Sequence, residues 1–271
     1  MTPSWDVAKK TLTAKVQVEN KTGHKFPSGV SFRRAFIELE VLDQNGNTLW
    51  ASGRTDDAGV IVDEKNQPIA GEHWWKPDCS ARIPANEQRW QPHYQTITRQ
   101  DQAQIYQDLS KNKQGLLTTS FLGIDDEVKD NRLLPHGFLP LADRVKIARA
   151  LGDTTPLDSH MDENLATAVE SKGVDGDRDY EEGNGFDNLS YVISGLSGTP
   201  ATVRVTLYHQ STAPYFLQDR FCVAPDGPDT QRLYFLAGHL NLDGTEADGW
   251  KLRIVQVSAS CSNESGSFRC S

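Results

Sequence analysis

Apolar and polar residues alternate over residues 11–18, where Leu12, Ala14, Val16 and Val18 fall on one face, and again over 35–41 through Ala35, Ile37, Leu39 and Val41. A period of two is that of a half-buried β-strand. Between the second segment and another at 48–52 lies Asp43-Gln-Asn-Gly-Asn47, whose Asn-Gly pair suits the positive backbone angles of a tight hairpin. Further strands are predicted at 59–63, 89–98, 188–194, 202–209 and 250–257, short runs separated by Gly, Pro, Asn and Asp. This spacing predicts a mainly β chain folded as a β-sandwich of immunoglobulin-like or jelly-roll-like type. Helical periodicity is scarce. Residues 158–172 are rich in Glu and Ala with Gly173 as a stop, and over 230–240 Leu233, Leu236, Ala237 and Leu240 share a face. Both read as short insertions on the β core, while over 105–152 helical and extended patterns compete. A soft boundary at 173–185 divides an N-terminal sandwich region with an irregular insertion, 1–174, from strands and a helix at 175–271 that complete the same sandwich or stand apart.

The chain has 271 residues, room for one large or two modest domains. Its 28 Lys and Arg against 37 Asp and Glu give a formal net charge of −9, the wrong sign for a general nucleic-acid or anionic-membrane binder. The longest apolar stretches are interrupted and fall far short of the roughly 20 residues that span a bilayer. Cys79, Cys222, Cys261 and Cys270 include no Cys-x-x-Cys pair, so neither a dithiol redox motif nor a zinc ribbon is formed, and disulfides are expected. Cys261 and Cys270 bracket a polar octet whose closure would tie down the tail. Cys79 and Cys222 are then left to pair, one of three possible connectivities. Disulfides imply an oxidising compartment, periplasmic or extracellular. Residues 1–6 carry no secretion signal, so a leader is expected to have been removed.

Candidate chemistry lies in three places. Asn20-Lys-Thr-Gly-His-Lys-Phe-Pro-Ser-Gly29 joins two predicted strands, and its Gly and Pro residues form a tight loop that presents His24. His73 and His93 flank the stretch from Trp74 and Trp75 to Trp90 and would approach His24 if their segments are neighbours. The run 175–187 concentrates Asp175, Asp177, Asp179, Glu181 and Asp187 among glycines, a donor set that suits calcium as well as a solvated linker. It is not an EF-hand, because positions six and twelve are Tyr180 and Phe186. Trp50, Trp90 and Trp250 are expected in the core, whereas Trp74 and Trp75, set in a loop, are expected to be exposed and to offer faces to a sugar ring. No nucleophile elbow, zinc-protease helix, phosphate loop or dinucleotide glycine pattern occurs. The sequence thus identifies no enzyme, though a site assembled from distant positions stays open.

One set of motifs carries a resemblance. The His24 loop, then Arg33-Arg-Ala-Phe-Ile, Leu49-Trp-Ala-Ser-Gly53, Pro92-His-Tyr-Gln, Gln102-Ala-Gln-Ile-Tyr106, Lys129-Asp-Asn-Arg-Leu-Leu-Pro-His-Gly-Phe138, Arg232-Leu-Tyr-Phe-Leu-Ala and Gly249-Trp-Lys-Leu occur in this order. Over residues 8–257 the chain resembles the haem-free C-terminal β-rich region of bacterial multihaem c-type cytochromes. No Cys-x-x-Cys-His run is present, so no haem is attached covalently here. The resemblance implies an electron-transfer role as scaffold, docking surface or donor of an axial histidine to a haem carried upstream or by a partner. His24 is then the first candidate ligand and His93 the second, with His136 of the Pro-His-Gly-Phe motif a further one. Two other readings stand beside it: a calcium-stabilised module binding carbohydrate or a surface partner, and a secreted copper or iron redox protein.

Overall fold

The alternating segments become strands because their apolar halves meet across two sheets. The computed structural model describes residues 1–157, 164–181, 183–264 and 267–270. The first strands are β1 (Thr2–Asp6), β2 (Thr11–Glu19), β3 (Arg34–Leu42) and β4 (Thr48–Ser52). After a long irregular stretch come β5 (Thr96–Ile97), β6 (Ile105–Lys111), β7 (Leu117–Thr118) and β8 (Asp126–Asp130). The last are β9 (Phe186–Ser194), β10 (Thr202–Gln210), β11 (Leu252–Glu264) and β12 (Ser267–Cys270). Helices α1 (Leu141–Ala150), α2 (Arg178–Glu181), α3 (Pro214–Val223) and α4 (Pro228–Gly238) lie between them.

One sheet has the order β1-β2-β9-β5. The other runs β12-β11-β10-β3-β6-β7, with β4 also on β3 and β8 also on β6. Antiparallel registry sets Leu12 opposite Ile193 and Ala14 opposite Tyr191 in the first sheet, and Leu39 opposite Val205 and Val41 opposite Val203 in the second. These residues form one buried cluster between the layers, as expected of a sandwich. Removing such a side chain to Ala costs about 2–5 kcal/mol. Strands from before and after residue 175 share both sheets: β9 lies between β2 and β5 in the first, and in the second the block β12-β11-β10 adjoins β3.

Several expectations need correction. Residues 59–63 form only isolated bridges, Thr55 with Ile61 and Val62 with Pro68, although Val60, Ile61 and Val62 are all buried. Of 89–98 only Thr96–Ile97 is a strand, and Trp90, 37% exposed, is not in the core. Trp250 is half-buried in a short turn ahead of β11. The predicted helix at 158–172 lies partly outside the described residues, at 158–163, and 164–172 is turn rather than helix. Within 105–152 the extended pattern prevails in β6 and β8 and the helical one in α1. Helix α3 falls outside the expected elements, although Pro214 at its first turn is a start signal. Cys79–Cys222 ties an irregular loop to α3, and Cys261–Cys270 joins β11 to β12. Among the described residues no helix is long and apolar enough to cross a membrane.

Candidate functional site

The His24 loop leaves β2 and is built around Asn20, a buried side chain. Asn20 Nδ2 donates to His24 O at 2.8 Å and to Leu133 O at 2.9 Å, while its Oδ1 accepts from the Thr22 amide and hydroxyl. Phe26 and Leu133 exchange backbone hydrogen bonds of 2.9 and 2.8 Å, fastening the loop to the segment after β8. Lys25 pairs with Asp130, which also takes Arg132 Nε at 2.7 Å. Burial raises the Asp130 pKa, but the Arg132 and Lys25 contacts outweigh it and hold the carboxyl below its ordinary value. On this base His24 is exposed. Its Nδ1 lies 2.9 Å from Lys25 O, which can only accept, so Nδ1 carries the proton and Nε2 keeps its lone pair. No described hydrogen bond engages Nε2. Anchoring one ring nitrogen on a carbonyl is how proteins orient an imidazole whose other nitrogen binds a metal.

His93 is arranged in the opposite way. Its side chain, 3% exposed, lies under the edge of the Tyr180 ring, 5.0 Å between centroids. Its Nδ1 faces Gln104 Nε2 at 2.8 Å and Asn131 Nδ2 at 3.2 Å. Both amides are fixed by the backbone, for Gln104 Oε1 accepts from Tyr94 N and Asn131 Oδ1 from Gln107 N. Nδ1 is therefore an acceptor and the proton sits on Nε2, which donates to Asp177 Oδ2 at 2.8 Å. Burial raises the Asp177 pKa, yet the His93 hydrogen bond and the Asp179 amide bring it below its ordinary value. Asp187 lies beyond, its Oδ1 3.9 Å from Nε2. Its Oδ2 accepts from Tyr106 OH at 2.7 Å and Gln104 Nε2 at 3.0 Å, while Oδ1 is buried without a partner. Burial pushes the Asp187 carboxyl up to about 6. Donor atoms of His93, Asp177 and Asp187 all lie within 4.8 Å of one another. A cation among them would have to displace the Nε2 proton and set an Nδ1–H against two amide donors. As built, this is a network that holds protons.

The remaining candidates disperse. His136 is exposed with Nε2 3.1 Å from Glu19 Oε1. Asp179 accepts from the Asn188 backbone and side chain, and Asp175 and Glu181 are exposed, so the acidic run contributes only Asp177 and Asp187 to one place. Trp74, 2% exposed, stacks on Tyr215 at 4.5 Å, and Trp75 is half-buried with Nε1 on Asp219 Oδ1. The expectation of an exposed pair is overturned, because the loop holding it is packed beneath α3. Sequence reasoning missed Gln104, Asn131 and Tyr180 as partners of His93 and Tyr106 as a donor to Asp187. Three of them stand inside motifs that carried the resemblance, but nothing in residue type or spacing marked them as a polar network.

No family model matches the chain, and no curated protein does. Among solved structures, the crystal structure of a penta-haem cytochrome c552 from Thermochromatium tepidum is similar at a TM-score of 0.39 and 13% identity, over 94% of this chain and 37% of that one. The chain thus spans little more than a third of that cytochrome's length, and a likeness this slight carries no functional argument.

Proposed function

We propose that the chain is a haem-associated β-domain of an electron-transfer assembly outside the cytoplasm, in which His24 gives an axial imidazole to a haem carried by another segment or partner. The observation that carries this reading is the state of His24: exposed, anchored at Nδ1 on Lys25 O, and free at Nε2. A neutral imidazole lone pair suits haem iron and shifts its potential. His93 and His136 already spend Nε2 on carboxylates. The two disulfides fit an oxidising compartment. A net charge of −9 favours encounter with a basic redox partner, with a rate that falls as salt rises.

A short peptide bearing one covalent haem, with its own histidine on one face and water on the other, tests the proposal. Adding the protein should convert the ferric haem from high to low spin, saturably, and His24→Ala should abolish the conversion. A wild-type protein that leaves the haem high-spin, or a His24→Ala variant that converts it equally well, refutes the assignment.

A further inference from the structure

Strand β11 has two halves with different surroundings. Its far half, Cys261 to Glu264, pairs with β12. Residues 252–260 pair with β10 on one side only. The Cys261 amide donates inward to Ala201 O at 2.7 Å. By the two-residue alternation of an antiparallel ladder, the backbone groups of Gln256, Ser258 and Ser260 therefore point away from β10. Among the described residues no strand takes them up. The other sheet stops short on the same side, since β1 covers β2 only from Thr11 to Lys15.

Between these two open edges lies an apolar groove of about 500 Å3, with Val16 and Val18 on one wall and Val205, Leu207, Val255 and Val257 on the other. A register shift pairs Leu207 with Val255 and Tyr208 with Arg253. It leaves Ile254 as an extra residue that turns to the groove beside Val255. Ile254, Val255 and Val257 are 51%, 52% and 44% exposed, while Ala259 and Cys261, farther along the same face, are buried. Burial is lost where neighbouring cover stops. Beyond the bulge, residues 255–260 contain no Pro and no charge, so this part of the edge lacks the usual defences against pairing.

We infer that this edge and groove receive an extended strand of a partner polypeptide with aliphatic side chains at alternate positions. Its backbone would satisfy the outward groups of Gln256 and Ser258, and every second side chain would enter the groove. A foreign strand is favoured over a second copy because copies of charge −9 repel. The inference stands apart from His24.

The probe is a capped nonapeptide alternating Val and Thr between terminal lysines, which contains all that the proposal requires. Titrated into the full chain, it should bind one to one with a Kd at or below about 1 mM and slow hydrogen exchange at Gln256 and Ser258. Ser258→Pro deletes an outward N–H without touching the β10 ladder, as edge strands tolerate, and should weaken binding at least about tenfold, the equivalent of one 1.4 kcal/mol step. Val257→Asp should do the same. No saturable binding up to about 1 mM, or equal binding by Ser258→Pro, overturns the inference. So does sedimentation showing that the chain dimerises through this edge, which would give the site to a second copy.

Discussion

Replacing Asp187 with asparagine probes the buried network through its dependence on pH. The carboxyl's ordinary pKa of 3.8 is raised to about 6, first by burial, with the His93, Tyr106 and Gln104 contacts acting against it. That rise corresponds to about 3 kcal/mol. Between about pH 4 and pH 6 the native protein keeps a proton that the unfolded chain has released, so stability falls as pH rises across that window and is level above it. The amide of the Asp187→Asn variant would keep one oxygen for Tyr106 OH and Gln104 Nε2, the two donors now on Oδ2, and would not titrate. Urea unfolding of both proteins with disulfides intact, followed by tryptophan fluorescence, gives the free-energy difference at each pH. Wild type minus variant should fall by about 2–2.5 kcal/mol from pH 4 to pH 7, mostly below pH 6. A difference that is flat, or that rises with pH, would refute the raised carboxyl and the geometry behind it.

Other consequences follow from contacts elsewhere in the fold. Arg34 and Glu72 form a fully buried bidentate pair, and Glu72 Oε2 also accepts from Ile61 N. Glu72→Ala should therefore cost about 3–5 kcal/mol in chemical unfolding, since it strands a buried charge. Glu127 is pushed up to about 8 by burial and then by Asp130 and Asp108. Glu127→Gln should remove a loss of stability on raising the pH from about 5 to 8, read by melting temperature across that range. Cys79–Cys222 closes 143 residues and Cys261–Cys270 closes nine. Paired Cys→Ser replacements should cost about 5 and about 3 kcal/mol respectively, so equal losses by urea titration would contradict the loop-closure account.

The sandwich was legible where one face of a strand is buried and the other is wet. Residues 11–19 show that pattern in full, and the expected strand matches to a residue at each end. It was illegible in β6, where Ile105, Tyr106 and Gln107 are buried in succession. Inclusion on both faces erases the period of two, and the polar residues that result read as loop. A different cause, distance along the chain, hid the His93 network. Sequence pointed to His93, Asp177 and Asp187 separately, one as a haem ligand and two as calcium ligands. The two carboxylates are far from His93 along the chain and become its neighbours only when β9 pairs with β2 and the 173–187 connection folds back. His24 was readable because its loop is local, with Asn20, Thr22 and Lys25 supplying its contacts from within the same short segment.

The most direct test of the account follows the imidazole nitrogens themselves. Protein labelled with 15N in histidine would be mixed with the ferric haem peptide and its ring signals recorded by NMR. The account predicts that His24 alone acquires the large paramagnetic shift of an iron ligand, while His93 and His136 stay where they were. A shifted His93 or His136, or a His24 signal unmoved at saturating haem peptide, would contradict it.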